Sequence, residues 1–345
     1  MSNAVGIAVV GTGDWGANLV RTFATLPGAR LVAVCDADPQ RLAKTATQYP
    51  GVRAVERVDD LTTAPDVQAV VVSASAVSHY PLAKALLAAG KDVYVEKPLT
   101  LHVGHAEEIV ALAREHGRIL MVGHLLLFHP AVRYLKDLVM RGDLGDLYYI
   151  YSQRVNLGKV RRDENALWSF APHDLSVILH LIEMEPTDVV ARGSAYLQGA
   201  VEDVVFLHLR FPDGKMAHVH VSWLDPQKLR KFTVVGSRKM VVFDDMEASE
   251  KIRIYNKGVD RVGRIVSYGD ALTVRSGDIT IPSISLQEPL RLECQHFVDC
   301  VRERTAPLAD GANGLAVVKV LAAAQASLEA GGVPVPVVRQ TAGVR

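Results

Sequence analysis

The sequence predicts an α/β fold in two parts: a doubly wound parallel sheet over the first third, then a second domain on an antiparallel or mixed sheet. Three observations carry this. The chain has 345 residues, more than one hydrophobic core usually serves. Short apolar runs alternate with helical patterns as far as residue 122, the order that yields βαβ units. After Pro130 the strands alternate apolar and polar residues and follow one another without helices between them, as in a sheet with one covered face. The boundary is placed between residues 123 and 124, giving domains 1–123 and 124–345, with the C-terminal helix packing back on the first.

In order along the chain, "GIAVVG" (6–11), "RLVAVC" (30–35), "AVVVSA" (69–74), "DVYVE" (92–96) and "ILMVG" (119–123) read as strands. The segments between them, "WGANLVRTFATL", "PQRLAKTATQY", "HYPLAKALLAAG" and "GHAEEIVALAREHG", read as helices, the last two closing on Gly90 and Gly117. In the second part, "DVVFLHLRF" (203–211), "KMAHVHVSWL" (215–224), "KLRKFTVVGS" (228–237) and "KMVVFDD" (239–245) read as strands. Two helices close the chain. The first carries Leu290, Cys294, Phe297, Val298 and Val301 at helical spacing, and the second is "GLAVVKVLAAAQASLEAGG".

Lys plus Arg and Asp plus Glu are 38 each, with no long block of one sign. This argues against nucleic acid or a charged membrane surface as partner and favours a small molecule. Cys35, Cys294 and Cys300 form no CxxC pair and no metal-ligand spacing, so no metal is expected and a reducing, cytoplasmic location is. No secretory signal pattern opens the chain, and no uninterrupted run of about 18 apolar residues occurs.

Directly after the first strand comes "GTGDWG", in which Gly11, Gly13 and Gly16 match GxGxxG. The first glycine permits the tight turn, the second lets backbone approach a pyrophosphate, and the third lets helix pack on strand, with the diphosphate at the helix N-terminus. Asp36 stands twenty residues after Gly16, at the end of the second strand. A carboxylate there accepts from ribose hydroxyls and repels a 2′-phosphate, so NAD is expected over NADP, with Arg41 nearby in sequence.

At the end of "DVYVE" stands "EKP", Glu96, Lys97 and Pro98. Open α/β sheets present ligands at strand carboxyl ends. A lysine there eases alcohol oxidation by taking a proton or by stabilising alkoxide charge.

Taken with "GIAVVGTGDWG", "CDADPQR", "HYPLAKALLAAGKDVYVEKPL" and "MVGHLLLFHP", "EKP" makes the chain resemble the Gfo/Idh/MocA family of NAD(P)-dependent sugar dehydrogenases along nearly its whole length. The resemblance implies a Rossmann domain and a C-terminal α/β domain with an open, mostly antiparallel sheet of the dihydrodipicolinate-reductase type. It also implies a homodimer or homotetramer formed through the exposed face of that sheet, where His208, Arg210, His218 and His220 alternate outward. It makes Lys97 catalytic, with His173 facing it across the nicotinamide. For NAD it assigns Gly11, Thr12, Gly13, Asp14, Trp15, Gly16, Asp36, Ser73, Ser75, His79, Glu96, Lys97 and Trp168. The family's inositol dehydrogenases carry an Asp four residues before that His; here the position is Ser169, which moves the reading away from inositol.

Residues 154–178, "RVNLGKVRRDENALWSFAPHDLSVI", resemble the family's nucleotide-sugar branch, which oxidises the 3-hydroxyl of UDP-N-acetylglucosamine and feeds 2,3-diamino-sugar synthesis for lipid A or surface polysaccharide. Arg154, Lys159, Arg161 and Arg162 suit a diphosphate, and Asn165, Ser169 and Asp174 join Arg154, Arg161 and Arg162 as substrate contacts. Trp168 and Phe170 offer flat walls for nicotinamide or sugar. Pro172 suits the first position of a helix, which would put His173 in the first turn, where the helix dipole favours neutral imidazole. The alternatives are a free-sugar or inositol dehydrogenase, a 3-ketosugar reductase, and a non-catalytic NAD-binding sensor.

Overall fold

A computed structural model describes residues 4–158, 160–162, 164–261 and 272–337. The chain divides into two compact units, residues 1–129 with 287–322 and residues 130–286 with 323–345.

The first unit is built on β1 (Val5–Val10), β2 (Ala29–Cys35), β3 (Arg53–Val55), β4 (Ala69–Val72), β5 (Asp92–Val95) and β6 (Leu120–Val122), all parallel, in the order β3-β2-β1-β4-β5-β6. Between them run α1 (Asp14–Phe23), α2 (Pro39–Gln48), α3 (Asp59–Thr62), α4 (Ala76–Ala88) and α5 (Val103–Glu115). Every residue of β1, β4 and β5 is buried, which is why these strands read as unbroken apolar runs. At α2, Pro39 takes the first turn and the Asp38 carboxylate accepts from the N–H groups of Gln40 and Arg41. The strand order reverses between β1 and β4. The crevice at that switch point, between the loops after these two strands, is where such sheets bind ligands.

The second unit opens with α6 (Pro130–Met140), β7 (Leu147–Val155) and α7 (Ala166–Ile182). There follow β8 (Asp188–Ser194), β9 (Val204–Arg210), β10 (Met216–Ser222), β11 (Leu229–Gly236), β12 (Met240–Asp244), β13 (Ile252–Arg261) and β14 (Leu272–Thr280). The last helices of the chain, α8 (Pro289–Glu303) and most of α9 (Gly311–Glu329), fall in the stretch that belongs to the first unit, and β15 (Val335–Pro336) returns to the edge of the second unit's sheet. The nine strands run β14-β13-β12-β11-β7-β10-β9-β8-β15, parallel between β7 and β10 and antiparallel elsewhere. Helix α7 packs on β7, β9 and β10, so Ile150, Ser152, Val205, Leu207, Val219 and Val221 are buried. The opposite face keeps Tyr149, Tyr151 and Phe206 exposed. On it Phe206 stacks on His220 at 4.3 Å, and His208 lies 4.6 Å from His218, between ring centres.

Three sequence expectations are corrected. The chain crosses to the second unit at His129 rather than after Gly123, and α8 as well as the first part of α9 returns to the first unit. The apolar stripe of α8 is the reason: Leu290, Cys294 and Phe297 are buried and α8 packs against α1 and β1. Helix α7 starts at Ala166, not at Pro172, because the Asn165 side chain caps it by accepting from Trp168 N–H at 3.1 Å. Pro172 sits inside the helix, so His173 lies well past the first turn and the dipole argument for its neutral form falls away.

Helix α9 has the length and mean apolarity of a membrane span, but 61 % of that window is buried inside the protein, the situation of a core helix. Leu315 and Val318 belong to the first unit's core.

Candidate active site

The loop after β1 is a cradle shaped by glycine. Gly11 has φ 88°, and a Cβ there would stand 2.5 Å from the Ser73 carbonyl oxygen. A Cβ on Gly16 would collide with the Gly11 carbonyl oxygen. Gly13 caps α1 with no side-chain acceptor for the first-turn N–H groups, which leaves an anion-binding helix start. These features fit the pyrophosphate of a dinucleotide. Trp15 and Asp14 in the first turn of α1 are exposed.

Asp36 closes the other side of the loop. Its carboxylate accepts from Thr12 N–H at 2.7 Å, from the Thr12 hydroxyl at 2.8 Å and from Asp38 N–H at 2.9 Å. Burial pushes this carboxyl up, but those donors and Arg41 outweigh it and hold it below the usual range. A carboxylate has about four acceptor positions, so Asp36 both ties β2 to the loop and keeps capacity for a ribose hydroxyl.

Ser73 and Ser75 follow β4 at the switch point. Ser73 backs the glycine loop, and Ser75 is the N-cap of α4, its hydroxyl 3.2 Å from that of Ser78. His79 corrects the sequence assignment, because it is 1 % exposed and its ring nitrogens lie 2.7 Å from the Pro98 carbonyl and 3.1 Å from the Ala74 carbonyl. It fastens the loops after β4 and β5 together instead of meeting a cofactor.

The peptide bond after Lys97 is cis. Lys97 is half-buried, while Glu96 beside it is buried and collects donors. Its Oε1 accepts from Trp15 Nε1 at 2.6 Å and from the Tyr94 hydroxyl at 3.2 Å, and its Oε2 from Lys97 N–H at 3.3 Å. Gly123 completes the seat, since a Cβ there would press on the Glu96 carboxylate at 2.8 Å. Next to it His124 is buried with neither ring nitrogen hydrogen bonded. Burial, with the Lys97 charge, pushes its pKa down to about 3, so its ring is neutral. Cofactor loop, Lys97 and Glu96 are therefore joined within the first unit.

In the second unit several expected substrate contacts are already occupied. Arg154 and Asp174 bind each other through Nε to Oδ2 at 2.7 Å and Nη2 to Oδ1 at 3.2 Å, both buried. Arg154 points to the α7 face because it alternates with Ile150 and Ser152 on β7. Burial pushes the Asp174 carboxyl up, and Arg154 opposes this only in part, so it stays raised. Asn165 caps α7 and donates to Glu202 at 2.7 Å and to Gln325 at 3.0 Å. Ser169 is buried, and Trp168 Nε1 donates to Gln325 at 3.3 Å. Arg154, Asp174 and Asn165 are thus corrected from substrate contacts to structural groups. Arg161 pairs with Glu164 at 3.0 Å and stays half-exposed, and Arg162 is exposed. Lys159 lies outside the described residues. Among the described residues no group of three His, Cys, Asp or Glu side chains could hold a metal ion.

Residues 5–124 match the oxidoreductase family with NAD-binding Rossmann fold, GFO_IDH_MocA, and residues 132–242 match the GFO/IDH/MocA C-terminal domain. The chain belongs to the Gfo/Idh/MocA family. As a Gfo/Idh/MocA protein it is an NAD-binding oxidoreductase. It is 25 % identical over 317 residues to UDP-N-acetylglucosamine 3-dehydrogenase of Acidithiobacillus ferrooxidans, covering 92 % of this chain and 94 % of that one. The solved structure of that enzyme superposes with a TM-score of 0.82 over 95 % of this chain and 99 % of the other, at 22 % identity. It is 31 % identical over 228 residues to 2,7-anhydro-N-acetylneuraminate hydratase of Mediterraneibacter gnavus; this match covers 62 % of the chain and 60 % of that protein's length. A protein of gentamicin A biosynthesis solved in complex with NAD shares the fold, with a TM-score of 0.80, 24 % identity and 97 % coverage of each chain.

Two groups of this Gfo/Idh/MocA site escaped the sequence reading. Tyr94 is hidden inside an apolar strand. Glu293 interrupts the apolar stripe of α8 between Leu290 and Phe297, and an acid on a buried helix face was the signal that could have found it.

Proposed function

We propose that this protein is an NAD-dependent sugar dehydrogenase that oxidises the 3-hydroxyl of UDP-N-acetylglucosamine, or of a close UDP-sugar, to a 3-keto sugar. The observation that carries the reading is the similarity to UDP-N-acetylglucosamine 3-dehydrogenase over 94 % of that enzyme, together with Lys97 hydrogen bonded through its N–H to the carboxylate that also holds Trp15 of the cofactor loop. Bound in the crevice, the nicotinamide supplies the acceptor for the hydride leaving C3. The chain's own residues do the rest. The glycine loop and the start of α1 hold the diphosphate, and Asp36 takes a ribose hydroxyl. Lys97 takes the hydroxyl proton or stabilises the alkoxide, with His173 as its partner. Arg161 and Arg162 serve the substrate diphosphate, because Arg154 is engaged by Asp174. The 3-keto product suits an aminotransferase, and a homo-oligomer through the exposed sheet face completes the proposal.

The test is NADH formation with UDP-N-acetylglucosamine against a panel of other UDP-sugars, free sugars and inositol, coupled to a 3-keto-sugar aminotransferase. Turnover on inositol alone would overturn the substrate. The 31 % identity to an anhydro-sugar hydratase favours a second reading, hydration of an amino-sugar derivative. Product formation without net NADH would identify it.

A further inference from the structure

Glu293 has no exposed surface, and neither of its carboxyl oxygens accepts a hydrogen bond. A buried carboxylate in that position carries a large desolvation penalty that the nearby Tyr94 hydroxyl offsets only in part. Its neighbours are the Tyr94 hydroxyl and the Glu96 carboxyl from β5, and Cys294 on its own helix. Lys97 is the cation that acts on Glu96.

Counting protons decides between the two carboxyls. Tyr94 has one hydroxyl proton and directs it to Glu96 Oε1 at 3.2 Å. Glu96 takes two further donors, Trp15 Nε1 and Lys97 N–H, as an anion would. No proton of Tyr94 remains for Glu293, but its oxygen keeps lone pairs. A Glu293 that brings its own proton can use them, whereas an ionised one would confront a second carboxylate in a dry interior.

We propose that Glu293 is a protonated positioning residue: as a carboxylic acid it donates to Tyr94, Tyr94 donates to Glu96, and this chain fixes Glu96 as the anion between Trp15 and Lys97. Burial, and then the Glu96 charge, push the Glu293 carboxyl well above the ordinary range, against the weaker pull of the Tyr94 hydroxyl. Burial raises Glu96 too, but Trp15, Lys97 and Tyr94 oppose it, so Glu96 is raised less than Glu293. Of the two, Glu293 keeps the proton. Cys294 stays a thiol, raised by burial and by both carboxyls, and His124 stays neutral.

The inference rests on the reading of Lys97 as the group at the reacting hydroxyl, and the experiment separates the two. Infrared difference spectra of wild type minus E293Q at neutral pH should show the carbonyl stretch of a protonated carboxylic acid in wild type. That readout needs no turnover, and its absence overturns the proposal. In kinetics with UDP-N-acetylglucosamine, E293L and Y94F should lose on the order of a hundredfold in kcat with KM little changed, the cost of a misplaced catalytic group. E293Q, an uncharged donor of the same shape, should restore most of that loss and leave the pH profile in place. Wild-type kcat in both E293L and Y94F, or an E293Q as impaired as E293L, overturns the proposal. An acid band in a protein that oxidises no sugar would leave Glu293 standing and remove the Lys97 reading instead.

Discussion

Arg154 and Asp174 grip each other through two hydrogen bonds, 2.7 and 3.2 Å long, with 9 % and 1 % of their side chains exposed. The pair joins β7 to α7 one residue after His173, so it sets the direction in which α7 presents that histidine. Removing one partner strands a buried charge. D174A or R154A should lose about 3–5 kcal/mol of unfolding free energy, and the double variant R154M/D174L should recover most of it. Should R154A unfold like wild type yet raise KM for the nucleotide sugar, the arginine serves substrate after all.

Lys97 carries the proposed chemistry. K97A should lower turnover by about 10²–10⁴-fold while NAD binding by calorimetric titration survives, and H173A should lower it comparably or less. Near wild-type turnover in K97A would remove this site from consideration.

Asp36 faces a harder test than its place in the motif implies, because it also secures Thr12. D36S should weaken NAD by about 10–100-fold, the worth of one or two hydrogen bonds to a charged group. It should also relax discrimination against NADP. Unchanged cofactor preference in calorimetric titrations would refute the assignment.

The buried histidines predict an acid limb of stability. His124 is held near 3 and His79 is lowered, in both cases chiefly by burial, against about 6.5 for a free imidazole. Above pH ~6.5 neither the folded nor the unfolded chain protonates them, and stability is fully present. As pH falls below that, the unfolded chain gains protons that the folded one refuses. Stability should therefore fall, approaching about 1.4 kcal/mol per pH unit for His124. Thermal unfolding of H124L between neutral pH and pH ~4.5 should show a shallower slope than wild type.

The outer face of the second sheet offers a separate test. Phe206 and Tyr151 are exposed in the single chain, and oligomerisation through this face would cover them. F206E with Y151E should sediment as a monomer with its circular dichroism unchanged. An unaltered sedimentation coefficient would place the interface elsewhere.

The cofactor cradle was legible because its chemistry is a spacing: glycines at fixed offsets, a strand before, a helix after, and Asp36 at the next strand end. The unbroken apolar runs of β1, β4 and β5 were legible for the same local reason. Strand β3 was not, since two of its three residues are exposed, and β8 hides because only Val189 and Ala191 of its seven residues are buried. The start of α7 was misplaced because this helix is buried on nearly all sides, so no stripe marks its first turn. Only the Asn165 cap does. The Arg154–Asp174 pair belongs to β7 and α7 at once, and no local pattern announces a partner twenty residues away.

The return of α8 to the first unit has a consequence for anyone cutting the gene. The nucleotide-binding half is not one continuous stretch, because Phe297 of α8 lies 5.6 Å from the ring of Tyr94 on β5, and α8 packs along α1. A fragment ending at residue 129 would strip the cover from that apolar surface and take Glu293 with it. Such a fragment should aggregate when expressed alone. Supplying residues 287–322 through a short fused linker should restore solubility and NAD binding, so a module swap within this fold has to carry two pieces of chain.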